Sequence, residues 1–557
     1  MSRLKAVVLL LFAFCAALGQ DAPNAQQLFS QERWPELARL IESLPDSQRT
    51  AELDYEYGIA LAHLGRWREA QQALLAGQRL APSDKRFPVE LAGVAFKRQK
   101  HRQAIWYLRR SLRLDPSDTY ANDFLATLYF LGGNTEAALK YWNREGKPQI
   151  QNVNSRPEPR LRPVLLDHAF AFSPAGTLSL AEFRTTDARL RNLEIFPSYR
   201  IDLTARDGGQ FDAELRAVER NGFGSSLADA LLGTFSGLPF QEIDPEYYNI
   251  SGKAINIASL ARWDPDKRRV LASLSGPLFS APEWRYRIGV DLRNENWDIR
   301  NGFTGPAPVL AALNLRREAV SADIERLVGW RWRWALGVEL SHRDERNPTP
   351  GVILTPELLA EGYQLKQTAS LQYQLLRSPE HRLTITTGID AAAARLWSKP
   401  EQSFLRLQPE VDIHWLPQPK GDDYETHWNI RGGKSFGRVP FDELWMLGLE
   451  RDNDLPLRAH IGTRDGRKGS APIGRDYFLE NWETDKNLYS NGLIALKLGP
   501  FFDIGSMGGT LSTPVSQKWL FDTGAQLKIR VLGVGATFIY GKDLRTGNNA
   551  FYVTVVR

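Results

Sequence analysis

The sequence predicts a multidomain chain. An all-α repeat array comes first, then a small α+β domain, then a C-terminal antiparallel transmembrane β-barrel of sixteen strands. Three observations predict this. Small residues recur at intervals of 34 in the first 150 positions. From about residue 246 the chain alternates strictly, with charges on one face and tryptophan and aliphatic residues on the other. Past the N-terminus, no stretch offers the eighteen or so consecutive apolar residues that a membrane-spanning helix needs, whereas a spanning strand needs only about ten residues, apolar at every second position.

Composition narrows the function classes. With 557 residues, more than one domain is expected. The net charge of +5 is spread along the chain with acids interleaved. A nucleic-acid footprint would be clustered, so no nucleic-acid partner is expected. The single cysteine, Cys15, lies inside the stretch 1–20, which reads as a secretory signal peptide. Arg3 and Lys5 form its positive end, and Ala17-Leu18-Gly19 its cleavage site. Phe14 stands before Cys15, where a lipid-anchor signal wants a small residue. Cleavage would leave a mature chain without thiols, as suits an exported protein.

Residues 21–150 carry the repeat. Gly58, Gly65, Ala70, Leu74 and Pro82 recur as Ala92, Gln99, Ala104, Leu108 and Pro116. A third copy gives Ala126, Gly133, Ala138 and Trp142. Small residues let two antiparallel helices approach closely, and the proline ends each unit. The period is that of tetratricopeptide repeats, which stack into a concave, protein-binding surface. Residues 151–163, with Pro157, Pro159 and Pro163, read as a linker.

Residues 164–220 read as a small α+β unit. Val164–Phe172 is expected to be a strand, Leu178–Leu193 an amphipathic helix, and 199–205 with 210–218 a hairpin across Arg206-Asp207-Gly208-Gly209. Residues 221–245 are a Gly- and Leu-rich connecting segment, read as a short amphipathic helix or a plug.

Residues 246–557 carry the barrel pattern. Trp284, Tyr286, Ile288, Val290 and Leu292 oppose Arg285, Arg287, Asp291 and Arg293. Trp332, Trp334, Leu336, Val338 and Leu340 oppose Arg333, Glu339 and Ser341. Leu405, Leu407, Val411, Ile413 and Trp415 oppose Arg406, Gln408, Glu410, Asp412 and His414. Twelve of the sixteen tryptophans lie here, as aromatic girdles require. At about twenty residues per strand and connection, about 310 residues make about sixteen strands. Pro409 lacks a ladder donor and predicts a bulge or a late strand start.

The stretch Phe441–Gly505 holds the most specific signal. It is a long loop dense in Arg, Asp and Gly, followed by a strand-like run, Phe501-Phe502-Asp503-Ile504-Gly505. Loops of this length in compact domains are usually functional. Leu457-Arg458-Ala459-His460 resembles the Val-Arg-Gly-aromatic tip of the inward-folded sixth loop in the outer-membrane assembly and two-partner-secretion barrel superfamily, the bacterial surface antigen family. Phe501 to Gly505 resembles the wall motif that receives that tip. The resemblance implies that Arg458 reaches into the lumen and pairs with Asp503. Leu457, His460, Arg464, Arg475 and Asp476 would support it from the loop, and Phe501, Phe502 and Gly505 from the wall. Ala459 and His460 depart from the usual glycine and aromatic, and the family's terminal aromatic is absent. Residues 172–203 resemble a POTRA domain, the periplasmic module that precedes such barrels.

No nucleophile elbow, phosphate-binding loop or zinc-binding helix motif is present in the sequence. The eight histidines (His63, His101, His168, His342, His381, His414, His427 and His460) are scattered and read as polar surface or lumen residues. No catalytic residue, cofactor or metal is expected. Taken with the resemblance, the chain reads as a non-enzymatic outer-membrane barrel with periplasmic N-terminal domains. It would insert or secrete client proteins, and its partners would be outer-membrane lipid and an unfolded client or a periplasmic protein. The alternative is a pore that exports a polysaccharide or other polymer, because repeat arrays also precede such barrels. A third is a structural barrel whose repeats scaffold a periplasmic partner.

Overall fold

A computed structural model of the chain describes residues 24–556 apart from 301–306, 350–352, 419–422, 492, 512–518 and 532–533. The stretch read as a signal peptide, with Cys15, lies outside the described residues. The chain divides into two compact units, 1–147 and 148–557.

The first unit is helical. Its helices are α1 (Ala25–Ser30), α2 (Trp34–Glu42), α3 (Ala51–His63), α4 (Trp67–Leu80), α5 (Arg86–Lys97), α6 (His101–Leu114), α7 (Thr119–Leu131) and α8 (Thr135–Trp142). Helix starts carry side-chain caps where the sequence supplies them. Thr50 accepts from Leu53 N–H and Asp118 from Ala121 N–H, each satisfying a donor the helix leaves open.

The 34-residue spacing becomes a repeated pair of helices. Ala92 and Ala126 are fully buried, as are Ala70, Ala104, Ala138, Leu74 and Leu108. Gly58 is smaller still, because a Cβ there would stand 2.5 Å from Leu74 Cγ. The turn inside each pair places Gly65, Gln99 and Gly133 at φ of +75°, +58° and +72°. Pro82 and Pro116 follow the helix ends at Ala81 and Asp115, where a missing N–H costs nothing.

The second unit opens with a three-stranded sheet in the order β1-β3-β2: β1 (Gln149–Ser155), β2 (Ser198–Ala205) and β3 (Gln210–Val218). β1 runs parallel to β3, and β2 runs antiparallel to it. Helices α9 (Pro163–Ala169) and α10 (Leu180–Asn192) cover the sheet through Leu165, Ala169, Leu190, Ile201 and Leu215. Two expectations are corrected here. The presumed linker begins in strand β1, and Val164–Phe172, expected as a strand, is largely helix, started by Pro163 at its first position. The connecting segment forms helix α11 (Leu227–Phe235).

All but two of the remaining strands close into a barrel. β4 (Glu242–Ile243) and β5 (Glu246–Tyr247) pair with β6 (Asn256–Arg262). There follow β7 (Lys267–Leu278), β8 (Ala281–Arg300), β9 (Val309–Val328), β10 (Trp332–Arg346), β11 (Gly362–Ser378), β12 (Leu383–Trp397), β13 (Gln402–Trp415) and β14 (Tyr424–Gly437). A long loop holds the two-residue pieces β15 (Trp445–Met446), β16 (Thr463–Arg464), β17 (Arg467–Lys468) and β18 (Ile473–Gly474). The wall resumes with β19 (Asp476–Ser490), β20 (Ile494–Gly508), β21 (Leu520–Val531), β22 (Val534–Asp543) and β23 (Asn549–Val556).

Among the described residues, eighteen strands enter the closed order, and fourteen of them are seven residues or longer. Neither count is the expected sixteen. β8 and β9 are twenty residues each, so fewer long strands use the available chain.

The alternation sets the two faces of the wall. Ile288, Leu336 and Phe551 stand 48, 54 and 62 % exposed on the outside, while Arg285 and Arg343 are buried within. Pro409 neither bulges nor delays β13. The pairing with β14 skips from Leu407–Lys434 to Glu410–Arg431 in unchanged register.

The small domain sits on the short turns at one end of the barrel. Asn192 Nδ2 donates to Pro282 O at 2.8 Å, and Arg377 Nη2 lies 3.3 Å from Asp187 Oδ2. The Arg184 guanidinium covers the Trp330 ring at 4.6 Å.

The helical unit yields a contrast between two glycines. At Gly77, in α4, a Cβ would stand 2.4 Å from the Phe87 ring, whereas Gly93, in α5, has nothing within 4 Å. Gly77→Ala should destabilise the helical unit by about 1–3 kcal/mol through overpacking. Gly93→Ala should stabilise it by roughly 0.5–1 kcal/mol. Thermal melts of the full chain followed by helical circular dichroism check both signs.

Candidate functional site

The loop between β14 and β19 folds back into the barrel, and three charged clusters hold it there. The first forms at its entry. Phe441 packs edge-on against Trp297 at 5.0 Å. Asp442 meets Arg343 at 2.7 Å and Arg317 at 3.2 Å. Glu443 takes Arg406 at 2.7 Å and Lys366 at 3.0 Å. These cations come from β9, β10, β11 and β13, so two adjacent loop acids tie together much of one side of the wall.

The second cluster centres on Asp452. Arg269 reaches it at 2.6 Å, Arg262 at 2.8 Å and Lys468 at 2.9 Å. Lys468 also binds Glu295 at 2.7 Å. Both loop carboxylates lie outside the strands. Burial pushes the Asp452 carboxyl up, but Lys468, Arg262 and Arg269 outweigh it and hold it well below the usual range. Burial acts likewise on Glu443 and is overcome by Lys366, Arg406, Arg317 and Arg343.

The third cluster is the loop tip. Arg458 Nη2 donates to Asp503 Oδ1 at 2.6 Å, and its Nε reaches Oδ2 at 3.0 Å. The Arg458 backbone N–H adds a bond of 3.0 Å to Oδ2. Nη1 turns to Gln526 Oε1 at 3.0 Å and to Glu483. The guanidinium lies over the Phe501 ring at 4.0 Å. Asn481 Nδ2 bonds both Asp503 Oδ1 and Pro456 O at 2.8 Å. Such a forked pair away from water is oriented as well as strong. Next in the chain, Ala459 N–H donates to Asp522 Oδ2 at 2.6 Å, and His460 Nδ1 lies 2.9 Å from the same oxygen. His460, in place of the aromatic, thus has a wall carboxylate of its own.

Space is as specific as charge. Leu457 is buried against Leu447, Leu455 and Leu479. It faces Gly505, where a Cβ would stand 3.2 Å from it. At Gly541 on β22 a Cβ would come within 2.4 Å of the Arg458 carbonyl oxygen. At Gly524 it would meet the Phe501 ring at 2.7 Å.

Not all the sequence-derived residues gather here. Phe502 points outward and stacks on Phe521 at 6.5 Å, because residues alternate along the strand. Arg475 instead contacts Gly437 O, and Asp476 holds Lys434 at 2.9 Å, where the loop rejoins the wall. Arg464 lies in the β16–β17 turn, paired in register with Arg467. Sequence reasoning missed Asn481, Glu483, Asp522, Gln526 and Gly541. Their signal was the polar face of the late strands, legible only once register is known.

The site thus defines a class: a closed barrel whose lumen holds a long inward loop, pinned by a buried arginine–aspartate pair. Comparison with known proteins finds no matching family model and no matching curated protein. Among solved structures, BamA from Haemophilus ducreyi lacking POTRA domains 1–3 matches at 12% identity and TM-score 0.42, covering 73% of this chain and 84% of that one. CdiB from Escherichia coli matches at 14% identity and TM-score 0.44, covering 73% and 75%. CdiB from Acinetobacter baumannii matches at 11% identity and TM-score 0.44, covering 75% and 80%.

Two outcomes follow from this geometry. Gly541→Val should expel the tip at about 1–3 kcal/mol of overpacking, raising trypsin cleavage after Arg458 roughly tenfold or more. A depressed carboxylate gives stability that is present above its unfolded pKa and lost only as pH falls through its folded value. Loop hydrogen-exchange protection, corrected for intrinsic rate, should therefore persist from about pH 7.5 to about pH 5.

Proposed function

We propose that this chain is an outer-membrane barrel that inserts or secretes client proteins and catalyses no reaction. The outward apolar belt takes lipid as its solvent, as a closed barrel permits. The first unit serves as a tetratricopeptide array, and the domain at residues 149–220 as a POTRA-like module, both on the periplasmic side. Chain lengths and turn chemistry agree with that placement, since the small domain sits on the short-turn rim and the long loop starts from the other.

The single observation that carries the reading is the seated tip, with Arg458 on Asp503 inside the lumen. A loop anchored by three ionic clusters occupies part of the lumen, where it would obstruct a steady conduit. This favours handling of protein clients over steady conduction of a polymer. A second feature fits an extended client. β1 is an edge strand, and beside it a cleft of about 620 Å³ is lined by Val153, Leu166, Phe170 and Phe172. Strand addition to such an edge gives affinity through backbone bonds.

Reversing one charge of the pair tests the reading. Asp503→Arg places two cations together in a buried site, and removing a buried partner costs about 3–5 kcal/mol. The variant should lose most client delivery, measured by quantitative proteomics of outer membranes and medium. Adding Arg458→Asp should restore delivery only in part, because the new carboxylate would face Glu483. Undiminished delivery by the single variant would overturn the proposal. So would a steady, polymer-blocked conductance of the wild-type barrel in planar bilayers.

A further inference from the structure

Two adjacent strands, β13 and β14, bring together a second set of side chains. His414 on β13 and His427 on β14 are direct cross-strand partners. Their rings stack at 4.4 Å with an interplanar angle of 14°. Glu425, two residues before His427 on the same strand, presents the same face. Its Oε1 lies 2.8 Å from His414 Nε2 and 3.0 Å from His427 Nε2. The three ligand atoms all fall within 4.8 Å of one another.

We infer that His414, Glu425 and His427 form a binding site for a zinc-like divalent cation at the short-turn end of the lumen. Two imidazole nitrogens and one carboxylate oxygen are the ligand types that zinc takes, at about 2.0–2.2 Å. A tetrahedron of those bond lengths separates neighbouring ligands by roughly 3.3 Å. The two histidine–glutamate contacts, at 2.8 and 3.0 Å, need to open by only a few tenths of an ångström. All three side chains are partly exposed, so water can complete the shell. Imidazole-rich sites without thiolate select zinc, copper or nickel over calcium or magnesium.

Lys497 on β20 holds the other carboxylate oxygen, Glu425 Oε2. It acts as a positioning residue, turning Oε1 toward the imidazoles and limiting Glu425 to one ligand atom. Glu483 and Asp485 stand across from His427 and Glu425 on β19 and are engaged by Lys528. A bound ion would clip β13 to β14 beside their turn, on the rim where the α+β domain sits. The site shares no ligand with the Arg458 network, although Glu483 faces His427 and also holds Arg458, and it does not depend on what the barrel transports.

The test uses the full chain, folded in detergent, with Zn²⁺ titrated against a chromophoric chelator. One site is expected in the wild type. His414→Gln and His427→Gln should each weaken it tenfold or more, and Glu425→Gln similarly. Heat-modifiable gel mobility identifies variants that have folded. Equal zinc stoichiometry and affinity in the wild type and the double histidine variant would overturn the assignment. Should neither variant fold, zinc-edge X-ray absorption of the wild type decides. Two nitrogen scatterers with imidazole signatures support the site, and an all-oxygen shell refutes it.

Discussion

A guanidinium withdrawn from water must find carboxylates and acceptors at every donor, or its burial is prohibitive. Arg458 meets that constraint through Asp503, Glu483, Gln526 and Trp482 O, drawn from three neighbouring strands. No loop segment alone could supply this set. The requirement therefore fixes where the tip sits, and with it the course of the chain on either side. Asp442–Glu443 and Asp452 repeat the same logic with opposite polarity, as loop acids answer wall cations, while the loop's Lys468 answers the wall acid Glu295. A lumen lined with charge is tolerable because the loop neutralises it.

The outward surface obeys a different rule. There the ladder satisfies the backbone and the side chains are apolar, so the wall needs no partner but an apolar solvent. The two rims are then free to specialise. One carries short turns, on which the small domain rests through Asn192, Arg184 and Asp187. The other releases the long loop inward. Contacts of the small domain reach backbone carbonyls at Pro282 and Arg377 and side chains at Arg377 and Trp330, so this seating depends on both turn shape and side-chain identity.

Much of this was legible in the sequence. Period-34 and period-2 patterns survive because each repeat and each strand must hide one face. The tip was legible through the resemblance of Leu457–His460 and Phe501–Gly505 to a known inward-loop tip and its wall motif. What was missed needed non-local information. Gln149–Ser155 is polar, with only Ile150 deeply buried, and becomes a strand by pairing with β3. The seven-residue helix after Arg162 is too short for propensity to decide, although Pro163 at its first position and the buried pair Leu165 and Ala169 were a clue. The strand count erred because average length was assumed where β8 and β9 run to twenty residues. Asp522, Gln526 and Gly541 could not be matched to the tip without register. His414 and His427 looked isolated along the chain and are neighbours only across the ladder.

The berth for the loop tip is built from β19 and β20 and completed by the two strands that follow them. Asp522 and Gln526 stand on β21 and the floor glycine, Gly541, on β22. A wall complete to β20 offers Arg458 its partner Asp503, but not Gln526 or the Asp522 carboxylate that takes Ala459 N–H. Full seating of the tip therefore requires β21 and β22, and it records that these strands have joined the wall. A truncated or mispaired C-terminal hairpin would leave the loop adrift outside, a visible mark of unfinished assembly.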